Sequence, residues 1–232
     1  SQAEIQPEAT ALLGLGRTPM SYRGLLSHAE KTAAQLRSFG IGPDDRIAVV
    51  LPNGPEMALA FIASAFAGTC APLNPQYTAA EYEFYLSDLK AKVLLLHQGE
   101  SSPAAAVARK LGIPVLEVSP LVDEPAGAFS LSDSTAASAL PGDDNGQGHD
   151  RALVLHTSGT TSRPKLVPLT HANICESAAN IKTSLGLGPS DRVLNVMPLF
   201  HIHGLIGALI SSLAAGGSVI CAPGFVAEQF FG

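Results

Sequence analysis

Residues 151–170 read "RALVLHTSGTTSRPKLVPLT". Ala152 to Leu155 form a short apolar run that suits a buried strand. Six hydroxyl or glycine residues follow, Thr157 to Ser162, and then Arg163, Pro164 and Lys165. From His156 to Lys165 there is no apolar side chain to place in a core. A buried strand that ends in a small, hydroxyl-rich turn presents backbone N–H groups and hydroxyls at its carboxyl end. In open α/β sheets that edge is where ligands bind. These donors, with Lys165 added, match a polyanion such as a triphosphate. Composition alone leaves a purely structural Ser/Thr/Gly turn as a second reading. A Walker A loop is excluded, because it needs Gly before the lysine and Ser or Thr after it. Here Pro164 and Leu166 hold those places.

Working outward, helical and strand patterns alternate. Upstream, "RIAVVLP" (46–52), Thr69–Leu73, "KVLLLH" (92–97) and "PVLEVS" (114–119) are the strand signals. Their near-continuous apolar character is that of parallel strands covered on both faces. Between them, Ser21 caps a helix whose Leu25, Leu26, Ala29, Ala33 and Leu36 recur at helical spacing, with Gly40 to end it. A second helix is predicted from Pro55 to about Ala67. A capping box, Thr78 with Glu81, opens "TAAEYEFYLSD", and Pro103 sits in the first turn of "SPAAAVARKLG". Downstream come "LVPLT" (166–170), a helix from His171 to about Leu185 capped by Thr170, and a strand at "RVLNVMP" (192–198). The turn "FHIHG", an apolar helix over Gly204–Ala215 and a strand at "SVICAP" follow. The pattern predicts an α/β fold of layered, mostly parallel sheets flanked by helices. No internal repeat of fixed period is visible. Residues 119–150, rich in Ser, Ala, Gly, Pro and Asp, are expected to form a surface connection. It would join a first α/β subdomain (1–118) to an α/β unit carrying the hydroxyl-rich loop (151–232).

The chain has 232 residues, 46% of them hydrophobic, which is ample for a core. No run approaches the roughly 18 apolar residues of a membrane span. The polar start "SQAEIQPEAT" is not a signal peptide, and without an initiator Met it suggests a processed or engineered beginning. Cys70, Cys175 and Cys221 are isolated, with no CxxC spacing, and read as reduced structural thiols of an intracellular protein. Of the net charge of −6, the 119–150 stretch holds six acids and no Lys or Arg. The remainder is neutral and has no basic patch for nucleic acid.

Two motifs carry a resemblance. "TSGTTSRPK" (157–165) closely resembles the signature phosphate loop of the adenylate-forming superfamily, which includes acyl-CoA synthetases, luciferases and peptide-synthetase adenylation domains. "PLFHIHG" (198–204) resembles that superfamily's next motif, at a suitable distance downstream. The resemblance extends from about residue 10 and implies the N-terminal portion of the large domain. "APLNPQYTAAEYEFYLSD" and "HTSGTTSRP", with Ser162 where most members have Gly, are most similar to the branch containing oxalate–CoA ligases.

The resemblance implies a two-step reaction with ATP, Mg²⁺ and coenzyme A. A carboxylate attacks the α-phosphorus of ATP, releasing pyrophosphate, and the thiol of coenzyme A then displaces AMP. Thr157, Ser158, Gly159, Thr160 and Thr161 would bind the β- and γ-phosphates. Lys165 would meet the charge of the departing pyrophosphate, with Arg163 exposed nearby. His201 would line the acyl pocket and contact the adenylate. Leu166 stands where the family usually has Gly, which implies altered loop mobility rather than lost binding. His156 is expected to be structural, and His201 with His203 has no third ligand of suitable spacing for a metal. His28, His97, His149 and His171 suggest only surface or capping roles.

The family's later motifs, for adenine, ribose, the hinge and the adenylation lysine, are not in the 232 residues. The chain is therefore expected to be the front part of a longer enzyme, inactive alone. Three readings stay open: a ligase for a small acid such as oxalate, a ligase for a larger fatty or 4-coumarate-like acid, and a non-catalytic phosphate-binding module. The expected location is the cytosol or the peroxisome.

Overall fold

The computed structural model describes residues 1–99, 102–133, 150–157, 164–225 and 227–229. A short helix α1 (Gln2–Ile5) precedes an antiparallel pair, β1 (Thr10–Leu13) and β2 (Met20–Ser21). Ser21 Oγ accepts the Gly24 N–H at 3.1 Å and opens α2 (Tyr22–Ser38), whose Leu25, Ala29, Ala33 and Leu36 are buried. Next come β3 (Arg46–Val50), α3 (Pro55–Ala67), β4 (Thr69–Pro72) and α4 (Ala79–Leu89), the last with the Thr78–Glu81 capping box in place. They are followed by β5 (Val93–His97), α5 (Pro103–Lys110), β6 (Val115–Pro120) and β7 (Phe129–Asp133). Beyond residue 150 lie β8 (Arg151–Thr157), β9 (Lys165–Thr170), α6 (His171–Leu185) and β10 (Arg192–Asn195). A continuous helical segment covers His203–Ala215 before β11 (Ser218–Cys221).

The strands form two sheets. One has the order β7-β6-β5-β3-β4-β8-β9, parallel except for its two edge strands, β7 and β9. The other has the order β10-β11-β1-β2. Alternate residues of the large sheet face opposite ways, as a pleated strand requires. Ala48, Val50, Leu94 and Leu96 pack with Tyr82 and Leu86 of α4 and with Val107 of α5. Ile47, Val49, Val93 and Leu95 turn to the other side, into a core shared with α2, α3 and the second sheet's Leu12 and Val219.

The structure adds three features to the expected organisation. The division at 118 and 151 is not a division between sheets. After the connection, β8 pairs with β4 (Cys70↔Leu153) and completes the first sheet, while N-terminal β1 pairs with β11 in the second. A strand buried on both faces needs neighbours on both edges, and these come from distant parts of the chain. Nor is 119–150 wholly a surface connection. "FSLSD" pairs antiparallel with β6 as β7, burying Phe129 and Leu131 at alternate positions. Arg17 fixes the intervening turn, donating to the carbonyls of Leu121, Glu124 and Pro125 and pairing with Glu56 at 3.0 Å. Residues 134–149 lie outside the described residues.

Finally, a short unit occurs twice, without defining a fixed period. "GPDDR" (42–46) and "GPSDR" (188–192) each precede a parallel strand. In both, the aspartate carboxylate accepts the glycine N–H, Asp45 from Gly42 at 2.8 Å and Asp191 from Gly188 at 2.7 Å. In both, the same aspartate's carbonyl accepts the first N–H of the next strand, Thr69 or Ser218, at 2.9 Å.

His28 on α2 carries one consequence of this packing. It is half-buried, edge-on to Phe129, and its Nε2 accepts the Phe129 N–H at 3.3 Å. Burial holds its pKa below the usual 6.5. The unfolded chain therefore takes up a proton, as pH falls through 6.5, before the folded chain does. His28 thus contributes stability above that pH and loses it below. Thermal unfolding of the wild type should fall more between pH 7.5 and 5.5 than that of His28→Gln. Equal falls would refute the assignment.

Candidate functional site

The hydroxyl-rich loop springs from a closed ladder. β8 and β9 run antiparallel up to the pair Thr157↔Lys165, where Thr157 Oγ1 donates to the Lys165 carbonyl at 3.4 Å. Both residues are exposed at the strand ends, so the loop starts and returns at one place. Ser158, Gly159, Thr160, Thr161, Ser162 and Arg163 lie outside the described residues. Leu166, half-buried, continues β9 opposite His156, as a strand accepts without strain. His156 links β8 to α4. Its side chain is 6% exposed, its Nε2 lies 2.9 Å from Asp88 Oδ2 on α4, and its ring meets Tyr85 edge-on. Tyr77 stacks on Tyr85 in turn, anchoring the base of the loop to α4.

The second motif forms the facing wall. At the end of β10 the buried Asn195 accepts the Met197 N–H and donates to the Gly204 carbonyl, both at 3.1 Å. This closes the 196–204 loop on itself. A Cβ at Gly204 would stand 2.5 Å from the Pro198 carbonyl oxygen, so the closure requires glycine there. His201 is exposed, beside Phe200 with ring centroids 5.4 Å apart, and its carbonyl accepts the Leu205 N–H. The helix expected over Gly204–Ala215 begins at His203, and its first part, His203–Ile210, is π-helical. The Ser211 N–H reaches back to Ile206, while the hydroxyls of Ser211 and Ser212 take the Gly207 and Ala208 carbonyls at 2.6 and 2.7 Å. Serine hydroxyls can satisfy carbonyls that a wider register leaves open.

The two motifs meet. A cleft of about 250 Å³ is walled by Thr157, His156, Tyr77 and Leu169 on the first sheet's side and by Phe200 and His201 on the loop. A second cleft of about 410 Å³ adjoins it, lined by Asn53, Met57, Gln76 and Leu199, with Phe200 and Asn74 bordering both. The clefts lie at the carboxyl ends of parallel strands, where such sheets hold ligands. Thr157, Lys165 and His201 are thus gathered at one edge of the molecule. Exposed His203 opens the π-helical segment. Among the described residues no three His, Cys, Asp or Glu side chains converge. Sequence reasoning missed Phe200 and the two asparagines, Asn53 and Asn195. The paired "GPDDR" and "GPSDR" would have aligned their strands and drawn attention to the segments that follow.

The family model for AMP-binding enzymes matches residues 1–231. The chain is 41% identical over 215 residues to an oxalate–CoA ligase of Arabidopsis thaliana, covering 92% of this chain and 42% of that protein. An oxalate–CoA ligase of Saccharomyces cerevisiae is 38% identical over 209 residues, covering 81% of this chain and 38% of that one. Among solved structures, ATP-bound MatB from Rhodopseudomonas palustris superposes with a TM-score of 0.78 at 26% identity, covering 98% of this chain and 46% of that one. MenE from Bacillus subtilis, in complex with the acyl-adenylate intermediate OSB-AMP, gives 0.76 at 25% identity, with 99% and 44% covered. The chain spans about two fifths of the length of these two ligases.

Proposed function

Since this chain belongs to the AMP-binding enzymes, we propose that it supplies the triphosphate-facing and acid-facing walls of an AMP-forming acid–CoA ligase. The observation that carries the reading is the shared cleft, in which the root of the hydroxyl-rich loop, Thr157, faces His201. In the reaction a carboxylate oxygen forms a bond to the α-phosphorus of ATP while the bond to pyrophosphate breaks. The thiol sulfur of coenzyme A then attacks the acyl carbon and AMP leaves. Carboxylate and triphosphate repel one another, so the site must neutralise charge and hold the reactants in line. Thr157, Ser158, Gly159, Thr160 and Thr161 would supply hydroxyl and amide donors to the β- and γ-phosphates. Lys165, across the ladder from Thr157, would supply the positive charge. Among the described residues no three His, Cys, Asp or Glu side chains are grouped to hold a metal ion, so magnesium would be carried to the site by the phosphate oxygens of ATP.

A small acid such as oxalate is the favoured substrate, supported by the oxalate–CoA ligases among the relatives and by the modest cleft beside His201. The adjoining cleft across Phe200 favours a larger acid as the second reading. The test is acid-dependent AMP formation by the protein that carries this chain, with ATP, Mg²⁺, coenzyme A and a panel from oxalate and malonate to 4-coumarate and octanoate. Turnover with the dicarboxylates supports the first reading and turnover with the longer acids the second. AMP formation with none of them overturns the ligase assignment.

His201 divides the roles further. His201→Ala should change the ranking of acids by roughly tenfold in kcat/KM, about one hydrogen bond in worth. The KM for ATP should move far less. A variant altered only in ATP affinity would place His201 on the nucleotide side.

A further inference from the structure

Asn53 lies in the turn between β3 and α3, at the carboxyl edge of the seven-stranded sheet. Its amide reaches across to the other sheet. Oδ1 accepts the Leu199 N–H at 2.8 Å, and Nδ2 donates to the Ala222 carbonyl at 2.7 Å and to the Met197 carbonyl at 3.4 Å. One side chain therefore holds both the loop after β10 and the residue after β11. Asn195 closes that loop on its own strand but does not fix it relative to the first sheet. The cleft, however, is walled by one sheet at Thr157 and by this loop at Phe200 and His201.

We infer that Asn53 is a positioning residue that sets the acid-binding wall, Phe200 and His201, against the phosphate-loop wall. The amide suits the task because the loop offers a donor and an acceptor, the residue after β11 offers a second acceptor, and a carboxamide carries both complements. Asp at this position keeps the acceptor for Leu199 but turns a second oxygen toward the carbonyls of Ala222 and Met197. Ala removes all three hydrogen bonds and leaves the Leu199 N–H without that partner. Thr157 and Lys165 lie on β8 and β9 of the large sheet, away from the clamp, so the triphosphate side should be spared.

The consequence for turnover rests on the ligase reading; the fixation of the loop does not. The experiment therefore has two readouts on Asn53→Asp and Asn53→Ala in the protein that carries this chain. The first is amide hydrogen exchange of peptides spanning 196–203, with peptides from α4 as reference. The second is the separate KM values for acid and ATP. The expected result is exchange about tenfold faster in 196–203 alone and an acid KM raised about tenfold, with the ATP KM within about twofold. Unchanged exchange overturns the inference. So does faster exchange with acid and ATP constants that move together or not at all. Wild-type protein that makes no AMP with any acid refutes the ligase reading instead, and exchange alone then decides whether Asn53 fixes the loop. If Asn53→Ala does not fold, Asn53→Asp, nearly identical in volume, decides it.

Discussion

Lys165→Ala should slow acyl-adenylate formation by about 10² or more, the scale of removing one preorganised electrostatic donor from a transition state. Lys165 is the first residue of β9 and the ladder partner of Thr157, so its backbone is fixed at the root of the phosphate loop. Its side chain is exposed, and its removal should barely change the unfolding temperature. In the proposed ligase Lys165 would meet charge that grows on pyrophosphate as the bond to the α-phosphorus breaks. The loss should therefore appear in kcat of the adenylation step more than in the KM for ATP. Acid-dependent exchange of labelled pyrophosphate into ATP measures that step without the thiol. A rate equal to wild type would remove Lys165 from the chemistry and leave it as a surface lysine.

The second large effect is on folding. Gly68 and Gly217 occupy the same place in the repeated unit, just before the strand that pairs with the one following "GPDDR" or "GPSDR". A Cβ at Gly68 would stand 2.7 Å from the Asp45 carbonyl oxygen and 2.9 Å from that of Gly42. At Gly217 it would stand 2.7 Å from the Asp191 oxygen and 3.1 Å from that of Gly188. These are backbone oxygens held in a turn, so no side chain can swing aside. Tyr22 tightens the second copy, its buried hydroxyl donating to the Gly217 carbonyl at 2.6 Å and burial pushing its pKa up to about 12. Either glycine replaced by Ala should cost about 3 kcal/mol, the upper end of overpacking, and lower the melting temperature by roughly 6–12 °C. Gly42→Ala and Gly188→Ala are the matched controls. A Cβ at those positions meets only an aspartate oxygen at 3.6 or 3.9 Å, and the change should stay within about 0.5 kcal/mol. Calorimetric melting that shows Gly68→Ala or Gly217→Ala as stable as its control would refute the close-packing argument.

The sequence by itself determined most of the elements. Strand runs such as "RIAVV" and "VLLLH", and the caps Ser21, Thr78 and Thr170, are written within a few neighbouring residues, and the helices start where those caps predict. The loop at 157–165 was marked by its run of hydroxyl and glycine residues, and His201 by the resemblance of "PLFHIHG" to a family motif. Only the tertiary structure decided that β8 and β9 close the first sheet while β1 and β2 join the second. An apolar strand states that it is buried, not which strand lies beside it. β7 was missed because "FSLSD" offers only two apolar side chains, and its pairing with β6 supplies the rest of its stability. The clamp at Asn53 was equally silent, since an asparagine in a turn is satisfied by water as readily as by remote backbone. Its partners, Leu199 and Ala222, lie far along the chain and come within reach only when both sheets fold onto one core.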